Sequence, residues 1–583
     1  PAVGVVDDLS GVGVGGRLAP GMVMRTELRL SHESGVFFSD LWPRTGQLGM
    51  AVNVRSGDRD QLFLMPVSML DWLPEDHLAF FVIDVVAELD LSEFYAAYRL
   101  DGRGGAVYDP EIMLGVLLYA YCVGERSSRR IERRLAEDVA FRVVAVNQQP
   151  DHATLARFRR RHRVALAGIF GQVLGLCVKA GLVDAGIIAV DGTKISADAS
   201  FFANRKREAL AKEILAEAEA ADQAEEEALI GQERGVTDAV QWSGERDRRQ
   251  RIRAALEELD ARPTRDYNSK IAERAKKEAA LGHKLTGPKP KPDAARRPGA
   301  QRANTTDPHS RIIAQQGHGV MQGYNAQAAA TTGHVIVAAE VTASTNDQPH
   351  FVPMATACVE NLQNAGLPDQ IRVFLADAGY WTAANGTADF GNATTLIATR
   401  KTSAKPKREE PDETRLEILA KVNRGELSQR EAGKLLGVSY TWVRDQAKRY
   451  FGKDGKRRIP PEEPEPEVWI PVIQEVVDQK ISRRAARDIL NVTDGRVVTM
   501  MAHVKGVAVD PQIARRQMES KLAEPDNEAL YKKRAATIEP CFGNIKRNLG
   551  FRRFLLRSFD GAQAEWRIMC SVHNLLKLRA QTT

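Results

Sequence analysis

A chain of 583 residues is too long for one ordinary core, so about two to four domains are expected. Apolar residues make up 43% and charged residues 27%, as in a globular protein in water, and no apolar run approaches the ~18 residues of a membrane span. The net charge of +6 puts the weight on local clusters, while five scattered cysteines and eleven histidines without ligand spacing argue against a disulfide framework or a zinc ribbon and fit a reducing cytoplasm.

Residues 1–60 form a Gly-rich leader without helical periodicity, expected to be a loose extension. It lacks a basic region followed by an apolar stretch, so no secretion signal is expected. Residues 61–183 read as an all-α N-terminal domain. Asp109–Pro110 supplies an N-cap and a proline at the first helical position. Ser127 or Ser128 caps SSRRIERRLAEDVAFRVVA, which carries Arg129 and Arg130. Asp151 or Thr154 caps the next helix, which carries Arg157, Arg159, Arg160 and Arg161. Two Arg-rich helices with a short turn between them resemble a helix-turn-helix DNA reader. A helical bundle with a solvated basic face is the plainer alternative.

At Gly186–Val190 the pattern changes to a short apolar run ending in Asp191-Gly192-Thr193-Lys194. A buried strand that delivers a carboxylate at its C-terminal end is a common way to place a metal ligand. Residues 201–303 are charged, with sparse apolar positions, and predict an exposed helical insertion followed by a Pro/Lys-rich linker. Two strand-like runs, Val320–Ala330 and His334–Val341, are joined by Thr331-Thr332-Gly333 as a hairpin. An amphipathic helix follows over 350–366. A strand, Ile371–Leu375, then places Asp377 just past its end, and TTLIAT at 394–399 is a further strand.

Residues 405–526 interrupt this pattern with an internal repeat. Leu427–Val443 aligns without gaps to Ile481–Val497. Each copy predicts a Ser-capped helix, a turn at Gly437 or Asn491, and a second helix opening near Ser439 or Thr493. With a helix ahead of each copy, two small helix-turn-helix modules are expected. Packing units without DNA contact are the alternative.

Tyr531–Arg557 holds one acid, Glu539, among Lys532, Lys533, Arg534, Lys546, Arg547, Arg552, Arg553 and Arg557. The basic residues attract a phosphate backbone, and a carboxylate among them makes sense when a divalent metal sits between it and phosphate. Glu539 and Lys546, seven apart, would share one helix face, with Pro540 starting or kinking the helix. Two strand-borne aspartates and a helix-borne glutamate can hold a pair of Mg²⁺ ions about 3.5–4 Å apart for in-line displacement at phosphorus.

The motifs DPEIMLGVLLYAYCVGERSSRRIE, PDHATLARFRRRH, AVDGTKISADAS, TDPHSR, MQGYNAQ, FLADAGYW and IEPCFGNIKRNLGFRRFLLR together resemble a bacterial insertion-sequence transposase of the DDE type, most of all the insertion-sequence eleven-eighty-two family. The resemblance covers about residues 65 to 580. It implies a multidomain α+β protein. Its N-terminal all-α DNA-binding domain precedes a ribonuclease-H-like mixed α/β catalytic domain over 184–200, 304–404 and 527–583, interrupted by helical insertions. Asp191, Asp377 and Glu539 would be the catalytic, metal-holding triad, with two Mg²⁺ per site and Mn²⁺ able to replace them. Lys546 matches the basic residue seven past the glutamate in the broader signature. Tyr531 and Arg534 resemble its Tyr and Arg, though the Arg-to-Glu interval is one residue longer here. The implied partners are double-stranded DNA, at element ends and target, and further copies of the chain in a dimer or higher oligomer, in the cytoplasm on the nucleoid and without a membrane. A catalytically inactive transposase-derived DNA-binding protein and a stand-alone ribonuclease-H-like nuclease are the alternatives.

Overall fold

A computed structural model describes residues 54–55, 68, 71, 73–99, 105–214, 216, 238–281, 289–290, 302–315, 319–399, 413–450 and 464–582. The leader, apart from 54–55, and nearly all of the Pro/Lys-rich linker lie outside the described residues.

Helices dominate the first part, and side-chain caps start several of them. Strand β1 (Val54–Arg55) pairs in parallel with β2 (Val107–Tyr108). Between them lie α1 (Leu78–Glu88) and the one-turn α2 (Ser92–Tyr95). Helix α3 (Pro110–Cys122) opens as its sequence predicts. The Asp109 carboxylate accepts the Glu111 N–H at 2.9 Å and the Tyr95 hydroxyl at 2.6 Å, and Pro110 occupies the first turn. All of α3 except Glu111 is buried.

Helix α4 (Ser128–Glu137) has Ser127 at its N-cap, but the Ser127 side chain makes no capping bond; its own N–H donates to the Glu125 carboxylate at 3.0 Å. A short helix α5 (Val139–Val144) comes next. Asp151 caps α6 (His152–Arg161) through the Thr154 N–H, and α7 (Arg163–Lys179) follows at once. The two Arg-rich helices, α4 and α6, are therefore separated by a further helix rather than by the short turn the sequence suggested.

The main sheet is mixed. Among the described residues its strands are β3 (Ile187–Ser196), β6 (Arg311–Gln315), β7 (Gly319–Thr331), β8 (Ile336–Thr342), β9 (Val373–Ala376) and β10 (Thr394–Ile397). Two short strands between β3 and β6 in the chain, β4 (Asn204–Lys206) and β5 (Arg302–Asn304), form a separate ribbon. The main order is β10-β9-β3-β7-β6, with β8 also paired to β7. Strands β9 and β10 run parallel to β3, and β7 runs antiparallel to it. The predicted hairpin is β7–β8, with His334 left-handed at φ 61° in the turn. The short strands β4, β5 and β6 had no clear alternation to betray them.

One hydrophobic core runs from α1 through α7, through the sheet and into the C-terminal helix. The 201–303 insertion has a small core of its own, where Leu210, Ile252, Ala255 and Leu259 meet Ala303 of β5. Its main element is α8 (Asp238–Leu281), a 44-residue helix about 66 Å long. Helices α9 (Phe351–Asn364) and α10 (Ala383–Gly386) flank β9 in the chain.

The repeat is visible as two modules. In the first, α11 (Glu413–Asn423) precedes α12 (Gln429–Leu436) and α13 (Tyr440–Tyr450). In the second, α14 (Pro466–Val477) precedes α15 (Arg483–Leu490) and α16 (Asp494–Val504). Ser428 and Ser482 cap the equivalent helices, and Gly437 and Asn491 end them left-handed at φ 62° and 50°. Asparagine tolerates that region because its short polar side chain can bond locally. Each module has its own core, separate from the main one.

Helix α17 (Pro511–Ala523) returns to the sheet. Met518 sulfur accepts the Ile397 N–H, and the Thr399 hydroxyl donates to Glu519 at 2.9 Å. Helix α18 (Pro525–Gly543) and a widened π turn over Asn544–Asn548 lead to α19 (Phe559–Thr582). The apolar stripe of α19 is buried at Ala562, Trp566, Met569 and Val572 and half-buried at Leu576. Glu565, Asn574 and His573 are buried as well, so this helix is enclosed on more than one face. Among the described residues no helix is long and apolar enough to cross a membrane, and all five cysteines are buried free thiols.

Candidate active site

Asp191 sits within β3 rather than at its end, because β7 keeps pairing with β3 as far as Ser196 after β9 stops at Ala376. The parallel register sets Val190 beside Ala376, so Asp191 and Asp377 follow at the same level on neighbouring strands. Burial, and then the charge of Asp377, raise the Asp191 carboxyl to about 6. The Gly192 N–H, donating to its Oδ1 at 2.7 Å, and the Arg534 guanidinium oppose that rise only in part.

Glu539 reaches this pair through Arg534. Helix α18 begins at Pro525 and runs through Glu539 and Pro540, so Pro540 does not start it. One face of α18 is tied down by Tyr531, whose hydroxyl donates to the Ala376 carbonyl at 3.2 Å, at the end of β9. Arg534 lies three residues on, close to one turn, and places Nη1 3.3 Å from Asp191 Oδ2 and Nη2 3.9 Å from Glu539 Oε1. Glu539 itself is 63% exposed. The guanidinium thus joins the helix acid to the strand acid. Among the described residues no three acidic, histidine or cysteine side chains converge closely enough to ligate one ion.

Lys546 comes from the π turn and crosses β3. Its ammonium donates to the Thr193 hydroxyl and, at 3.2 Å, to the Lys194 carbonyl. Burial, then Lys194 and Arg552, push its pKa down. Thr193 shares a strand face with Asp191, by the two-residue alternation of a strand. Lys546 therefore lies beside the carboxylates.

The sequence reading missed the other side of β3. Asp347 Oδ1 accepts from Asn325 at 2.7 Å, Gln327 at 3.0 Å and Lys194 at 3.1 Å. Burial alone would raise this carboxyl, but those bonds and the Lys194 charge hold it below the usual range. Gly192 makes the cluster possible. A Cβ there would stand 2.3 Å from Gln327 Nε2 and 2.8 Å from Asp347 Oδ1. The buried Tyr380 hydroxyl donates to Gln327, and burial followed by Asp191, Asp347 and Asp377 holds the phenol well above its ordinary pKa. The available signal was Asn325 and Gln327, two amides two residues apart in a strand that is buried there; Asp347 itself sits in a loop with nothing to mark it.

The predicted phosphate-binding residues divide. Arg547 and Arg552 are exposed. Arg553 and Arg557 are exposed but clamp Asp198 at 2.9 and 3.0 Å. Arg129, Arg130, Arg157 and Arg160 are exposed on α4 and α6, and Arg161 is exposed while stacking on Tyr98 at 4.3 Å and donating to the Ala97 carbonyl. Arg159 departs from expectation. It is 5% exposed and donates inward to the Tyr121 hydroxyl, the Arg126 carbonyl and Ser128, so it binds α6 to α3 and α4 and has no path to DNA. In the second module Arg496 is spent on the buried Asp510, at 3.0 Å from its Oδ1.

Two stretches of the chain match known families. Residues 67–161 match a transposase domain (DUF772), and residues 498–579 match a transposase DDE domain. The first spans α1 to α6, and the second spans Tyr531, Arg534, Glu539 and Lys546. Together they support a DDE-type insertion-sequence transposase. No curated protein and no solved structure matches the chain.

Proposed function

We propose that the chain is a DNA transposase that binds the terminal inverted repeats of its element, cleaves a phosphodiester to free a 3′-hydroxyl, and directs that hydroxyl at target DNA. The observation that carries this reading is the meeting of Asp191 and Asp377 at one level of the sheet, with Arg534 of α18 set between Asp191 and Glu539 and Lys546 of the π turn on Thr193 beside them. The strand order supports a ribonuclease-H-like catalytic domain. Strand β3 is central, β7 is antiparallel to it on one side, and β9 and β10 run parallel to it on the other. The finer assignment to the insertion-sequence eleven-eighty-two family rests on the motifs.

Asp191, Asp377 and Glu539 would hold two Mg²⁺ ions, or Mn²⁺ in their place. The two aspartates fit, since carboxylate oxygens suit a hard cation and Asp191, raised to about 6 beside Asp377, gains from any positive charge set against it; Glu539, which faces Arg534, would have to move toward them to share an ion. Such ions activate the attacking oxygen and neutralise charge on the leaving one. The chain's own residues prepare the site. Tyr531 fixes α18 on β9, Arg534 offsets the charge of Asp191, and Lys546 adds a cation beside the acids for a phosphate oxygen. Asp347 holds Lys194 on the far side of β3. Exposed Arg547 and Arg552, with Arg129, Arg130, Arg157, Arg160 and Arg161, are the proposed backbone contacts. Synapsis of two ends calls for at least a dimer, acting in the cytoplasm on the nucleoid.

One observation favours a non-catalytic DNA-binding protein: Glu539 meets Arg534, which bridges it to Asp191, rather than the aspartates themselves. Cleavage and joining of a fragment carrying the terminal repeat, with Mg²⁺ or Mn²⁺, separates the readings. Wild type is expected to nick at the repeat end and join it to target, while Glu539→Gln binds without cutting. Binding without cutting by both proteins would favour the second reading, and equal cutting by both would remove Glu539 from the triad. Hydrolysis without joining would point to a stand-alone nuclease.

A further inference from the structure

Beyond the carboxylates, β3 leads directly to a feature that the catalytic reading does not use. After Ser196 the chain passes Asp198, clamped by Arg553 and Arg557, and enters a one-turn 3₁₀ segment, Phe201–Ala203. Phe202 is 83% exposed and Phe201 40%. The two rings meet edge to face at 5.8 Å. An exposed pair of large aromatic rings forfeits the burial that normally places phenylalanine inside.

The turn is held firmly. Ser200 Oγ accepts the Phe202 N–H at 3.3 Å, and Asn204 donates to the Phe201 carbonyl at 2.7 Å. The wholly buried Asn304 donates to the Ser200 carbonyl at 2.8 Å, and the Thr305 N–H donates to the Ala203 carbonyl at 3.1 Å. The rings are thus presented on a backbone fixed from both sides. Strand β4 continues from this turn without a break and lines a cleft of about 560 Å³. Among the described residues the cleft walls carry Arg205, Lys206, Lys212 and Arg302 with one acid, Glu208, while Glu213 pairs with Arg205 from outside the lining at 3.8 Å.

We propose that Phe201 and Phe202 are a stacking platform for an unpaired nucleotide of the DNA strand, and that the cleft beside them binds its phosphates. Aromatic faces next to a cationic groove are the chemistry that holds single strands, because every base has a π face and every nucleotide a charge. An intact duplex offers base faces only at its ends, so a protruding ring gains little from it. A second copy of the same patch is a poor occupant, since a two-fold contact would set these cations against one another. From Asp191 to Phe202 is at most about 40 Å of extended chain, so the platform would meet DNA within about twelve nucleotides of the cut. The exposed arginines of 552–557 lie along the way. This inference rests on the DNA-transposase reading.

The test uses the full chain and two probes. One is a single strand of about 20 thymidines. The other is a duplex, with and without an unpaired bulge containing 2-aminopurine. Phe201→Ala/Phe202→Ala is expected to bind the single strand roughly tenfold more weakly than wild type, or worse, and to lose the change in bulge fluorescence. Binding to the intact duplex should stay within about twofold, and Phe202→Trp should restore the single-strand affinity. Single-strand binding unchanged in the double variant, with normal duplex binding, overturns the platform and leaves the transposase reading intact. Loss of a wild-type oligomer in sedimentation, with single-strand binding unchanged, would instead assign the rings to a contact between copies. If the wild type binds neither probe, the platform and the DNA reading both fail.

Discussion

At Asp191 the fold holds a carboxylate against both burial and the charge of Asp377, and Arg534 relieves only part of that cost. The folded-state pKa, about 6, stands above that of an unfolded aspartate, so the fold favours the protonated form. The stability this group contributes is complete below about pH 4 and is lost as the pH rises through about 6. Asp191→Asn removes the charge and keeps the shape. Without divalent ions, this variant is expected to be more stable than wild type at pH 7.5 by roughly 2–3 kcal/mol, with the gap closing near pH 4. Urea unfolding at the two pH values checks it; equal stability at pH 7.5 would mean that Arg534 already neutralises the site. Residue identity alone did not distinguish the arginines of α6. Arg159 and Arg160 are adjacent in the chain, yet one is buried among Tyr121, Arg126 and Ser128 and the other is exposed.

At the scale of elements, the basic loop 550–558 owes its shape to a buried carboxylate on α19. Glu565 accepts the N–H groups of Leu555 and Leu556 at 2.7 and 2.9 Å and pairs with Arg126 at 3.5 Å. Arg126 in turn donates to the carbonyls of Arg553 and Gly550. Glu565→Ala would strand a guanidinium and two amides inside the protein, with an expected loss of about 3–5 kcal/mol. Urea unfolding measures this, and Glu565→Gln, which keeps an acceptor, should lose less. A loss under about 1 kcal/mol would show that the loop repacks without its acceptor. Most helices were readable in advance because caps are local: Asp109, Asp151, Ser428, Ser482 and Thr493 each act within three residues of themselves. The length of β3 was not readable, because its continuation past Asp191 depends on β7, far along the chain.

At the scale of the molecule, the two repeat modules have cores separate from the main one, and α17 joins the second module to the body, packing on β10 through Met518 and on the module through Ile513 and Arg516. Replacing 401–509 with a Gly/Ser linker should therefore leave the body folded. If the modules read DNA, affinity for the terminal repeat should fall roughly tenfold or more. Fluorescence anisotropy with the repeat measures the affinity, and thermal melting verifies the fold. Unchanged affinity in a folded variant would make the modules structural.

Patterns that repeat over a few residues were settled by the sequence itself. These were the capped helices, the hairpin, the paired modules and the apolar runs ahead of Asp191 and Asp377. They follow from backbone geometry and neighbouring side chains, which act at a range of three or four residues. Only the tertiary structure decided which distant groups share a site. It set Asp377 level with Asp191, laid α18 so that Arg534 joins Asp191 to Glu539, brought Asp347 to the far side of β3, and left Phe201 and Phe202 in solvent. Those outcomes depend on sheet register and helix docking between segments up to hundreds of residues apart, and no local pattern encodes them.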